Sequence, residues 1–142
     1  FLNWDDDAEL MQTLVTIILK KQITGVFENM LSKEKYQFAH SLLHTTLEKK
    51  DFALELIKPR LKNWDADRIA ALDMILLRMG VCEFLFFDTI PTKVTINEYI
   101  DLAKAYSTPQ SGQFVNGLLD TIQKELQAEN KIDKRVFKKS TL

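Results

Sequence analysis

The sequence predicts an all-α fold built around one central, buried helix. Three observations lead there. Gly and Pro number only four and three in 142 residues, too few turn formers for a sandwich or barrel. Apolar residues recur at helical spacing along most of the chain. One stretch, about Ala66 to Phe87, is apolar around its whole circumference, as a helix wrapped by neighbours must be. The length suits one domain, or two small subdomains sharing a core, and needs neither disulfide nor metal to fold.

Each element has its own signals. Asp5-Asp6-Asp7 precedes an apolar-periodic stretch of Leu10, Met11, Leu14, Val15 and Ile18. Acidic residues suit the positive end of a helix and Lys20-Lys21 the negative end, which predicts a helix over about Ala8 to Lys20. Ile23 to Leu31 reads as a connector. Ser32 is placed to cap the next helix, whose expected apolar stripe is Tyr36, Ala39, Leu43 and Leu47, closed by Lys49-Lys50. Phe52, Leu56, Ile57 and Leu61 mark a shorter helix that Pro59 kinks or breaks, because proline lacks the N–H and clashes with the preceding turn. Asp65 is the expected cap of the central helix.

In that central helix Arg68, Asp73, Arg78 and Glu83 lie five residues apart. A five-residue step turns roughly 140°, so these charges scatter and form no polar face. Ile69, Leu72, Leu76, Met79 and Phe84 are expected to be buried. Phe84 to Phe87 alone could be a strand, but no partner strand is near. Pro91-Thr92 opens the next helix, with Ile96, Tyr99, Ile100 and Ala103 inward. Thr108-Pro109 predicts the last helix start, a cap followed by proline at the first helical position. Phe114, Leu118, Ile122 and Leu126 then repeat every four residues, flanked by Val115 and Leu119. The tail from Asn130, rich in Lys and Arg, is expected to fray.

Little in the chain supports catalysis. The net charge is −1, so charge alone does not announce a nucleic-acid binder. Cys82 is a lone cysteine amid apolar residues, an inert buried thiol rather than a nucleophile. His40 and His44 share an i, i+4 face but have no third metal ligand nearby. Neither a phosphate-binding glycine loop nor a nucleophile elbow occurs. No apolar run approaches the roughly 18–20 residues of a membrane span, and no signal peptide is visible. A cytoplasmic protein with no cofactor and no small-molecule substrate is expected. The chain opens at Phe1 rather than Met, which leaves room for a preceding segment.

Two segments ask for more than packing: Ile90-Pro91-Thr92-Lys93-Val94-Thr95-Ile96-Asn97-Glu98, and Ser111-Gly112-Gln113-Phe114-Val115-Asn116-Gly117-Leu118-Leu119. Gly117 within a helix costs about 0.8–1 kcal/mol relative to alanine, so close packing or recognition must compensate. Gln110, Ser111 and Gln113 gather polar groups at a helix N-terminus, where free N–H groups can meet phosphate or merely be capped and solvated. Phe114 could pack on the core, on a base, or use one face for each.

These two segments, with Trp64, Arg68, Leu77-Arg78 and Glu83 leading into them in the same order, resemble the NusB family of bacterial transcription antitermination factors. The likeness runs from about Tyr36 to Glu125. It implies an all-α fold of two packed helical subdomains, with N-terminal helices over about 1–63, a C-terminal helical subdomain over about 64–128 and a basic flexible tail over 129–142. It also implies a non-catalytic role: binding boxA-type single-stranded RNA together with NusE, the ribosomal protein, within the transcription elongation complex. Carried over residue by residue, RNA contacts fall on Gln110, Ser111, Gln113 and Phe114, with positive charge at Arg78 and Lys93; NusE contacts fall on Asp67 and Asp73. The family opens with an arginine-rich helix, whereas Phe1 to Leu31 is acidic at its start and has no such cluster. Two other readings stand beside this one: the RNA-binding module of an RNA cytosine methyltransferase, and a helical scaffold that binds only protein.

Overall fold

A computed structural model describes residues 4–21, 31–61 and 69–134. Every regular element in them is helical: α1 (Trp4–Lys21), α2 (Lys33–Glu48), α3 (Lys50–Ile57) followed by a 3₁₀ turn (Lys58–Leu61), α4 (Ala71–Phe86), α5 (Thr92–Tyr106) and α6 (Ser111–Ala128). They divide into two compact units, one reaching to Ser41 and one from Leu42 onward.

In the first unit α1 starts four residues earlier than its acidic run suggested. Leu14 is buried, whereas Leu10, Met11 and Val15 are exposed. Ser32 does cap α2: its Oγ accepts the Lys35 N–H at 3.3 Å, and its carbonyl accepts the Tyr36 N–H at 2.9 Å.

The second unit holds the core. The expected α2 stripe is displaced by one residue: Leu42 is buried, while Tyr36, Ala39, Leu43 and Leu47 are exposed. Two adjacent leucines give the same apolar signal, so periodicity alone cannot say which of two faces 100° apart turns inward. Thr46, one turn after Leu42, settles it by hydrogen bonding the Cys82 thiol on α4. Pro59 acts as expected, ending α3 at Ile57 and tightening the next four residues into the 3₁₀ turn. Arg60 in that turn bonds the Leu56 carbonyl and the Glu125 carboxylate, tying it to α6.

α4 begins at Ala71 rather than Ala66; Ala70 is extended at ψ 137°. The expected cap Asp65, with Trp64, Asp67 and Arg68, lies outside the described residues. From Leu76 to Phe84, α4 is the centre of the unit, with Leu76, Leu77, Gly80, Val81, Cys82 and Phe84 buried. Ile69, Leu72 and Met79 are partly buried against that core, and Ile75 and Phe86 are exposed. α5 runs back along α4 with Thr95, Tyr99 and Ala103 inward, and α6 returns parallel to α4. The fourfold-repeating seam of Phe114, Leu118, Ile122 and Leu126, with Val115 and Leu119, is buried throughout. Gly80 lets α4 and α6 meet, since a Cβ there would lie 2.9 Å from Leu119 Cδ2.

Of the tail expected to fray, residues 131–134 pack back on the helices, and 135–142 lie outside the described residues. Asn130 takes the left-handed conformation (φ 53°). Its N–H bonds the Gln127 carbonyl at 3.1 Å, and the Lys131 N–H bonds the Leu126 carbonyl at 2.9 Å, the paired closure of a Schellman motif. The reversal lays Ile132 on the core. It also aims Lys134 Nζ at the carbonyls of Glu83 and Phe87, 2.8 and 2.7 Å away, where a cation complements the negative end of α4. Periodicity carried no trace of this, because a helix stop followed by one anchoring residue has no period.

Candidate functional site

The turn between α5 and α6 is where polar groups concentrate. Pro109 opens its first bend, but α6 proper starts two residues later, with Gln110 as its N-cap. The Ser111 N–H bonds the Thr108 carbonyl at 2.9 Å. The Thr108 N–H donates back to Ser111 Oγ at 3.1 Å, and the two hydroxyls touch at 2.8 Å. Thr108 and Ser111 thus satisfy each other in the manner of a capping box.

Beneath the turn sits Asp73, in the first turn of α4 and only 4% exposed. Ser107 Oγ donates to its Oδ1 at 2.6 Å and Ser111 Oγ to its Oδ2 at 2.7 Å. Both oxygens of a buried carboxylate are therefore satisfied, as burial of a charge requires. Asp73, expected at a partner surface, has its carboxylate turned to the two serines.

The outer side of the same turn is different. Gln110 and Gln113 are exposed. Among the described residues, the backbone N–H groups of Gly112 and Gln113 find no backbone acceptor, the usual state of a helix first turn. Gly112 is buried under Lys104: a Cβ there would lie 2.8 Å from Lys104 Cγ. The missing side chain lets the lysine stem lie across the start of α6 while its ammonium stays in solvent, 3.6 Å from Asp101. Sequence reasoning missed Lys104; Gly112 facing a long cation across the α5–α6 turn was the available signal.

The remaining expected site residues separate. Ser111, 1% exposed, belongs to the inner network rather than to a binding surface. Phe114, 6% exposed, is part of the core cluster. Its fourfold spacing from Leu118 and Ile122 turns it inward with them. Lys93 is exposed but starts α5, whose fifteen residues set it roughly 20 Å along the helix from the turn. Arg78 is half-buried on α4, and its Nε finds no hydrogen-bond partner among the described residues. It is five residues beyond Asp73, about 140° around the helix, so it faces away from the serines. Asn116 and Gly117 are exposed, and a Cβ on Gly117 would meet nothing within 4 Å. Among the described residues no packing compensates this glycine; close packing belongs to Gly80 and Gly112 instead.

A second polar cluster lies at the other end of α4. Glu83 is buried and accepts from Thr95 Oγ1 at 3.3 Å and from Tyr99. Burial raises its carboxyl above the usual glutamate range, and the two hydroxyls partly offset this. Burial and the facing Glu83 carboxylate push the Tyr99 hydroxyl up. Cys82 is buried, which raises its thiol. His44 Nδ1 sits 3.8 Å from Glu48, and His40 stacks on Tyr36 with ring centroids 6.2 Å apart. Among the described residues no group of three or more His, Cys, Asp or Glu is placed to hold a metal, and no helix is long and apolar enough to cross a membrane.

The family model described as the NusB family matches residues 5–124. A transcription antitermination protein NusB from Salinibacter ruber is 44% identical over 97 residues, which are 68% of this chain and 61% of that protein. The protein of the same name from Oceanobacillus iheyensis is 39% identical over 106 residues, 74% of this chain and 84% of that one. Among solved structures, T. maritima NusB is similar at a TM-score of 0.62 and 32% identity, over 80% of this chain and 84% of that one. A structure of antitermination factors NusB and NusE in complex with double-stranded RNA is similar at a TM-score of 0.59 and 26% identity, over 86% of each chain. The family match spans the described helices from α1 to the greater part of α6, and with relatives this similar over two thirds and more of its length the chain belongs to the NusB family.

Proposed function

We propose that this chain is a non-catalytic transcription antitermination factor that binds boxA-type single-stranded RNA together with a NusE-type ribosomal protein, in the cytoplasm, as part of the elongation complex. The observation that carries this reading is its likeness, over 86% of both chains, to a NusB solved with NusE and double-stranded RNA; the single-stranded boxA form comes from the family resemblance. The geometry supports a narrower version of the site. Gln110 and Gln113 supply hydrogen-bond donors and acceptors for base edges or phosphate. The open N–H groups of Gly112 and Gln113 lie at the positive end of an eighteen-residue helix, a favourable place for a phosphate. Lys104 brings an exposed positive charge to the start of α6. Lys93 and Arg78 belong to separate surfaces, and any contact they make to RNA is made elsewhere along the strand.

So few cations at the turn mean few neutralised phosphates and a shallow salt dependence. Each contact to single-stranded nucleic acid contributes a slope of about −0.7 in log affinity against log salt. The test is fluorescence anisotropy of a labelled boxA-type RNA with the full chain, with and without the NusE-type partner. Binding strengthened by the partner and weakened by Gln113→Ala supports the proposal. A chain that binds the partner but leaves RNA affinity unchanged is a protein-only scaffold.

A further inference from the structure

We infer that Asp73, though it cannot reach RNA, is a positioning residue for the RNA-facing turn, holding Ser107 to Ser111 so that Gln110, Gln113 and Lys104 point outward. This rests on the function proposed above. The turn has two sides with opposite chemistry. Its inner side is closed: Ser107 and Ser111 each donate to one Asp73 oxygen, and Ser111 Oγ receives the Thr108 N–H. A serine hydroxyl has one proton; Ser111 Oγ lies 2.7 Å from Asp73 Oδ2 and 3.0 Å from Ser107 Oγ, and the carboxylate, the stronger acceptor, draws that hydrogen bond. The Ser111 oxygen is thereby left as the acceptor for Thr108, so the carboxylate on α4 fixes the direction of hydrogen bonding through the turn.

The outer side carries the polar groups that have no such partners. Ser107 and Ser111 bracket Thr108, Pro109 and Gln110, so anchoring the two serines sets the backbone between them. Ser111 also begins α6, and its anchoring fixes where the open amides of Gly112 and Gln113 point. Without the carboxylate, the buried Ser111 hydroxyl and the half-buried Ser107 hydroxyl lose this acceptor. Leaving them so is costly, and the turn relaxes by rotating them toward solvent. The outer side chains would then lose the arrangement that Asp73 imposes, with no change in charge at the surface.

The test uses the full chain, the NusE-type partner and a boxA-type single-stranded RNA oligonucleotide. Four proteins are compared at a temperature where circular dichroism shows all folded: parent, Asp73→Ala, Gln113→Ala and the double variant. Asp73→Ala is expected to lower RNA affinity about tenfold while partner affinity stays within about twofold. The loss caused by Gln113→Ala should shrink in the Asp73→Ala background, since both act through one turn. Additive effects, or an undiminished RNA affinity in Asp73→Ala, would overturn the inference. So would a fall in partner affinity alone, which would make Asp73 a partner contact. Should Asp73→Ala not fold, Asp73→Asn serves in the same cycle. It keeps the shape and one acceptor, reverses one serine bond, and should give a smaller loss with the same non-additivity. If the parent binds RNA and Gln113→Ala weakens it while Asp73 variants do not, only this inference fails. If the parent with partner binds no RNA, the proposed function fails and the inference with it.

Discussion

The same substitution at two glycines should have opposite effects on stability. Gly117 and Gly80 are both helical, so replacing either by alanine removes the same backbone entropy cost, about 0.8–1 kcal/mol. At Gly117 no described residue opposes the gain, because the new methyl meets none of their atoms within 4 Å. Gly117→Ala should therefore stabilise the protein by that full amount. At Gly80 the methyl would stand 2.9 and 3.2 Å from the two terminal carbons of Leu119, which is fully buried. Leu119 must leave its rotamer or the helices must part, and overpacking of this kind costs about 1–3 kcal/mol. Net of the propensity gain, Gly80→Ala should be destabilising by about 0–2 kcal/mol, and the two variants should differ by the whole overpacking cost. Urea denaturation at constant m reads this directly. A destabilised Gly117→Ala would mean that α6 is covered on its outer face, and a stabilised Gly80→Ala would mean that α4 and α6 do not meet as described.

Leu76→Ala and Phe114→Ala are both core truncations and should cost about 2–5 kcal/mol in chemical denaturation; a loss below 1 kcal/mol at Phe114 would put its ring back on the surface. Phe114→Leu should keep RNA affinity at the parent level, since the side chain is part of the core. Glu83→Gln tests the buried carboxylate, which faces Thr95 and Tyr99, with Lys134 and Glu98 contributing charge nearby. Its carboxyl is raised in the folded state, so the unfolded chain loses this proton more easily. The native protein therefore loses stability as pH climbs from the ordinary glutamate range through the raised value. The melting-temperature gain from Glu83→Gln should accordingly be larger at pH 7 than at pH 4, and a gain that does not change with pH would contradict the assignment. Lys134→Met should lower thermal stability by uncapping α4, whereas a fraying tail would tolerate it unchanged.

The helices were legible because they are periodic. The α6 seam announces itself through Phe114, Leu118, Ile122 and Leu126, and the central place of α4 through the scatter of its charges. Pro59 and Ser32 act locally, so their effects could be read without knowing the fold. What the sequence could not supply was the inside of the polar groups. Asp73 and Glu83 look like surface charges on a helix wheel, yet each is buried and satisfied by hydroxyls: Asp73 by residues 34 and 38 positions away, Glu83 by Thr95, 12 away, and by Tyr99. Such pairings are long-range and carry no period. The candidate site suffered most from this. Ser111 and Phe114 sit at the start of α6 but turn inward, while Lys104, eight residues before Gly112, enters only through the glycine it covers.

The turn at the start of α6 is the centre of the functional reading, and amide hydrogen exchange tests it most directly. In the free chain the N–H groups of Gly112 and Gln113 lack backbone acceptors and should exchange rapidly. Exchange is followed for the full chain, for its complex with the NusE-type partner, and for that complex with boxA-type RNA. Adding RNA to the preformed complex should slow exchange over residues 108–113 more than over the buried middle of α6. Unchanged exchange at Gly112 and Gln113, with slowing concentrated at the start of α5 around Lys93, would place the RNA on a different surface and contradict the assignment.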